Sequence, residues 1–107
     1  MGYEFVKLVK LKGDDKKYKA VLINTETGRE KNVKFGAAGM QDYTKYYKKQ
    51  GKEAADEKKA AYIARHSKAG EDWTATGKAT AGFYAKHILW SEPTIEASLK
   101  KMLKRFF

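Results

Sequence analysis

The chain has 107 residues, 42% of them apolar and 13% aromatic, with 23 Lys/Arg against 13 Asp/Glu and a formal net charge of +10. This length fits one domain, spanning residues 1–107, with a modest core, and the aromatic content excludes a disordered basic tail. The absence of cysteine excludes disulfides and thiolate metal sites and fits a reducing compartment.

In chain order, Tyr3–Lys12 interleaves apolar residues with lysine and reads as a strand. Its apolar stretch from Phe5 to Leu11 is broken by Lys7 and Lys10, unlike a secretory leader. No apolar run in the chain approaches the ~20 residues that cross a bilayer, so the chain reads as neither secreted nor membrane-spanning. Gly13-Asp14-Asp15 is a turn signal. Lys16–Asn24 is a second strand, with Tyr18, Ala20 and Leu22 on one face and Lys19, Val21 and Ile23 on the other. Thr25-Glu26-Thr27-Gly28 reads as a hairpin loop with Gly28 left-handed, and Arg29–Phe35 as the third strand. Such short connections predict an antiparallel three-stranded meander.

After Gly39 the pattern changes. Asp42-Tyr43-Thr44 can cap a short helical turn that Gly51 interrupts. Residues 53–67 read as a helix with acids early and Arg65, His66 and Lys68 late, the order that complements the helix dipole. Residues 79–90 read as a helix that is apolar nearly all round and therefore buried. Pro93 marks the start of the last helix, over 94–106. There Ile95, Leu99, Met102, Leu103 and Phe106 form an apolar stripe opposite Lys100, Lys101, Lys104 and Arg105. The expected fold class is α+β: an N-terminal three-stranded antiparallel meander followed by about three helices.

The segment from Phe35 to Gln41 carries no charge and contains Gly36-Ala37-Ala38-Gly39. One reading is a tight structural turn in which small side chains face the interior and let sheet and helices touch. The other is an anion cradle of free backbone N–H groups, although neither phosphate-loop glycine pattern is present.

Several segments resemble a family of short, basic, uncharacterised proteins encoded by giant DNA viruses and some large phages. They are "VKFGAAGMQDYT", "YIARH" and "EDWTATGKATAGFYAKHILWSEPTIEASLKKMLKRF", and the likeness covers roughly residues 16–106. It implies a viral setting, in the virion or in the cytoplasm or viral factory of an infected cell, and implies no catalytic residues.

Candidate chemistry is sparse. His66 and His87 match no metal-ligand spacing, and Ser67, Ser91 and Ser98 lie in no nucleophile elbow. The expectation is a non-enzyme without metal or cofactor. Trp73 and Trp90 read as core anchors, or as an interface hot spot if exposed. The most suggestive stretch sets Tyr43, Tyr46 and Tyr47 among Lys45, Lys48, Lys49 and Lys52, a mixture that can stack on bases while holding phosphates. The alternative is a mobile turn whose tyrosines cover the edge of the core. The excess charge is spread along the chain and is densest in residues 78–107, where six Lys/Arg meet two Asp/Glu. The expected function is non-specific binding of DNA or RNA through the tyrosine–lysine stretch and the cations of the last helix, with no sequence-reading motif. The alternative is a virion structural or adaptor protein that meets acidic viral proteins.

Overall fold

The computed structural model describes residues 2–107. Strands β1 (Tyr3–Lys10), β2 (Lys16–Asn24) and β3 (Glu30–Ala37) form an antiparallel sheet in the order β1-β2-β3. Four helices follow: α1 (Tyr43–Gln50), α2 (Lys52–Lys68), α3 (Ala81–Tyr84) and α4 (Ile95–Phe106). A 3-10 turn, Ala75–Gly77, precedes α3, and a π turn, Ala85–Leu89, continues it. The architecture is the expected α+β one, with the short turn after Asp42 extended into a helix of its own. No helix among the described residues is long and apolar enough to cross a membrane.

One face of the sheet builds the core. Phe5 of β1 pairs with Leu22 of β2, Leu8 with Ala20, and Ala20 and Tyr18 pair onward with Val33 and Phe35 of β3. Phe5 and Leu8 are three residues apart yet face the same way. A bulge between Phe5 and Lys7 shifts the alternation by one and leaves Val6 51% exposed. Phe83, Tyr84, Ile88, Leu89 and Met102 close the core from the helical layer. Burying an aliphatic or aromatic side chain of this kind contributes about 1.5–3 kcal/mol. The apolar stripe of α4 docks as expected, with Met102 buried and Ile95, Leu99, Leu103 and Phe106 packed against the core. Ser98 on the same helix is fully buried, and its Oγ accepts the Glu92 N–H at 2.9 Å.

The segment expected to be one helix over 79–90 is instead two pieces in succession. Thr80 caps α3 by accepting the Phe83 N–H at 3.3 Å, and after Tyr84 the helix widens into the π turn. The wider turn serves two anchors at its end: Leu89 reaches the sheet at Gly36, and the Trp90 ring stacks on Tyr62 of α2 at 4.6 Å.

Gly36 and Gly39 both have positive φ, 77° and 84°. A Cβ on Gly36 would lie 2.6 Å from Leu89 Cδ1 and 3.4 Å from Lys17 Cδ, so only glycine lets the strand end meet the π turn. Ala37 and Ala38 are exposed, which corrects the expectation that the small side chains of this stretch face inward. β3 runs on through Ala37, which pairs with Lys16. The Ala38 N–H donates to Asp15 O at 2.9 Å and the Met40 N–H to Ala37 O at 3.2 Å, so neither is free to cradle an anion.

Candidate anion-binding site

The helices position the charged side chains. Asp42 caps α1, accepting the Lys45 N–H at 3.2 Å, and Gly51, with φ 92°, turns the chain between α1 and α2. Tyr62, on α2, stacks between Trp90 at 4.6 Å and His66 at 4.1 Å. Glu71 ties the loop after α2 to this stack: its Oε2 meets His66 Nδ1 at 2.5 Å and its Oε1 accepts Trp73 Nε1–H at 3.1 Å. Trp73 and Trp90 are each half-buried in this secondary aromatic cluster. Among the described residues no group of three or more His, Cys, Asp or Glu could hold a metal ion.

The tyrosine–lysine stretch becomes α1 and the start of α2. Tyr43 is 4% exposed, and its hydroxyl donates to Asp56 Oδ1 at 2.8 Å. Burial, helped by that acceptor, pushes the phenol up to about 12. The expectation that Tyr43 offers its ring to a base is therefore corrected: the ring is spent on packing α1 against α2, with Lys59 Nζ 5.0 Å from its centre. Tyr46 leans on Trp90 at 6.2 Å and carries Lys58 at 5.5 Å, and Tyr47 meets Tyr43 at 5.9 Å. Lys45, Lys48, Lys49 and Lys52 are exposed, and Lys52 pairs with Asp56 at 2.7 Å.

A different set of cations converges. Lys101 and Arg105, one turn apart on α4, line a cleft of about 60 Å³ with Lys59 of α2 and Lys86 and His87 of the π turn; Ser91, Met102 and Phe106 complete it. No carboxylate among the described residues lines it. Lys100 and Lys104 are exposed on α4 outside the cleft. Lys59 Nζ also donates to Ser91 O at 2.9 Å, fixing α2 to the chain that leaves the π turn. Outside the cleft Glu92 reaches Lys101 at 3.2 Å.

Cations that line one cleft repel one another, and less so the more water screens them. Burial pushes the Lys86 ammonium below its usual range, and Lys59, Arg105 and Lys101 push it further. His87 is 7% exposed, with Phe83 and Phe106 rings 4.6 and 4.7 Å away. Its Nε2 lies 2.8 Å from Trp73 O. A carbonyl only accepts, so Nε2 carries the hydrogen, and in the neutral ring Nδ1 keeps the lone pair. Burial lowers its pKa, the Trp73 bond opposes this, and Lys86, Arg105 and Lys101 lower it further.

A second, larger cleft of about 240 Å³ lies between the β1–β2 turn and α1. It too is lysine-rich, with Lys10, Lys16, Lys17 and Lys45, but Asp14 and Asp42 line it as well. Lys17 Nζ donates to the buried Asp42 carboxylate at 2.8 Å, and Lys34 to Asp14 at 2.8 Å. The hydrogen bond from Lys34 is the main reason the Asp14 carboxyl falls to about 2, and the same bond raises Lys34.

Lys101 and Arg105, expected on the last helix, thus belong to the converging set. Lys100, Lys104 and the Tyr43–Lys52 stretch do not line that cleft. Lys59 and Lys86 were not among the expected residues. The signal for Lys86 was its place, with His87, in an otherwise apolar segment; Lys59 has none, because α2 is lysine-rich all along.

The fold and the cleft define a class: a small basic α+β protein with a carboxylate-free polycationic cleft. Residues 6–66 match the model of DUF5754, a family of unknown function, and the chain belongs to that family. The match spans β1 from Val6 onward, β2, β3, α1 and most of α2, and so includes Lys59 but not Lys86, Lys101 or Arg105. No curated protein and no solved structure matches the chain.

Proposed function

We propose that this protein binds nucleic acid without sequence preference, through phosphate contacts made by the outward face of α4 and the adjoining cleft. The observation that carries this reading is the convergence of Lys59, Lys86, Lys101 and Arg105 in one cleft lined by no carboxylate. Folding brings these charges together against their mutual repulsion, and a polyanion relieves it. Lys100 and Lys104 extend the positive face along the same helix. The exposed Lys45, Lys48, Lys49 and Lys52 add to the field around the molecule. Tyr46 and Tyr47 are half-buried, so base stacking is secondary to charge. The viral setting rests on the resemblance to giant-virus and phage proteins. Within it the protein acts on, or is packaged with, a viral genome in the virion or the viral factory.

Titration of labelled single- and double-stranded DNA and RNA across ionic strength tests the proposal. Log affinity should fall linearly with log salt, by about 0.9 per phosphate contacted on duplex DNA. Replacing Lys100, Lys101, Lys104 and Arg105 together by Gln should weaken binding equally for all sequences and flatten that slope, while the apolar stripe keeps the fold. Absence of salt-dependent binding at low ionic strength overturns the reading, and the basic face then falls to an acidic viral structural protein.

A further inference from the structure

The cleft between α2, the π turn and α4 differs from a flat basic face in being small, walled and made by three elements. Its volume of about 60 Å³ leaves room for one tetrahedral anion rather than for a stretch of backbone. An internal phosphodiester brings two chain substituents that must both leave the cleft, and a single negative charge. A phosphate monoester brings one substituent and up to two negative charges, against four cations. Met102 and Phe106 complete the lining beside the cations. We infer that this cleft is a receptor for one phosphate monoester, such as the terminal phosphate of a nucleic-acid strand, which it takes in preference to an internal diester. The identity of the strand rests on the nucleic-acid reading above; the recognition of phosphate does not.

Each lining group has a part. Lys86 of the π turn and Arg105 of α4 supply charge from two different elements, and a guanidinium can grip two phosphate oxygens at once. Lys101 adds a further charge and is drawn from Glu92. Lys59, already fixed by Ser91 O, offers its remaining hydrogens. His87 reports occupancy. The groups facing it are Lys86 on its own turn, Arg105 and Lys101 on α4, the Trp73 carbonyl, and the rings of Phe83 and Phe106. A dianion among those cations reverses the field at the ring, so the imidazole takes up a proton more readily when the cleft is filled.

The experiment uses the full chain, with inorganic phosphate, a nucleoside 5′-monophosphate, and one oligonucleotide prepared with a 5′-phosphate or a 5′-hydroxyl. The 5′-phosphorylated strand should bind about tenfold tighter, the worth of a charge-assisted contact set. Lys86→Gln should erase that difference, so that the phosphorylated and hydroxyl strands bind alike. Arg105→Gln, at an exposed position, should do the same and stands in if Lys86→Gln fails to fold. Inorganic phosphate and the mononucleotide should each move the His87 ring resonances and raise its apparent pKa. Equal affinity for the two strands, with His87 unmoved by phosphate, overturns the inference and leaves general nucleic-acid binding intact. If neither strand binds but phosphate or the mononucleotide still moves His87, the cleft serves free phosphate monoesters and the nucleic-acid reading falls instead. If nothing binds, both fall.

Discussion

The two lysine-rich clefts use the same side chain to opposite ends. Between the β1–β2 turn and α1, lysines meet carboxylates: Lys17 is tied to Asp42, and Lys34 to Asp14. Between α2, the π turn and α4, four cations line a cleft together and Lys86 is pushed toward neutrality. The first arrangement is partly neutralised by its own carboxylates and holds secondary-structure elements together. The second stays positive, with no carboxylate lining it among the described residues. Counting lysines along the chain does not separate them; the placement of Asp14 and Asp42 does.

Gly36 joins the two regions, since its missing Cβ would strike Leu89 of the π turn and touch Lys17 of the first cleft. Gly36→Val should therefore have the largest effect. It combines about 1–2 kcal/mol for a left-handed backbone with about 1–3 kcal/mol of overpacking. Chemical denaturation would measure it, and a loss under about 1 kcal/mol would mean that the strand end and the π turn are not in contact.

Lys17→Met comes next. It leaves the Asp42 carboxylate buried without its partner and should cost about 3 kcal/mol. Lys86→Met in the other cleft should do the reverse, leaving stability unchanged or raising it by up to about 1 kcal/mol at low salt, because it removes a repelled charge. Equal losses from these two substitutions would erase the distinction between the clefts.

Acid sharpens the same contrast. The folded state lowers the pKa of His87 below its ordinary 6.5, so the unfolded chain takes up the proton first. His87 therefore contributes stability that is complete above 6.5 and declines as the pH falls from there toward the lower folded-state value. Phosphate should lessen that decline, and unfolding curves at about pH 5 and about pH 7, with and without phosphate, would show it.

The smallest effect lies just before the π turn. The Tyr84 hydroxyl is fully buried and has no hydrogen-bond partner among the described residues. Tyr84→Phe should be neutral or stabilising by up to about 1 kcal/mol. A clear loss would reveal a partner for that hydroxyl.

Where the sequence carried a regular period, the fold was legible. β2 was read at its observed bounds, and the apolar stripe of α4 docks as its spacing requires. What escaped was irregular. The bulge after Phe5 re-phases β1, and two apolar residues three apart look like noise in an alternating pattern. The π turn was hidden because its anchors, Gly36 and Tyr62, lie 53 and 28 residues upstream of Leu89 and Trp90 respectively. Tyr43 looked like a surface aromatic among lysines, and its burial depends on Asp56 one helix later. The cleft was half visible: Lys101 and Arg105 share a helix face, whereas Lys59 and Lys86 join them only through the packing of α2 and the π turn.

The central claim is that the location of charge, rather than its total, sets polyanion binding. Two double variants that remove the same net charge test it most directly: Lys86→Gln with Arg105→Gln, and Lys16→Gln with Lys45→Gln. With labelled duplex DNA carrying 5′-phosphates, the first pair should weaken binding markedly and flatten the slope of log affinity against log salt. The second pair, drawn from the acid-lined cleft, should change both far less. Equal weakening and equal slopes for the two pairs would contradict the account.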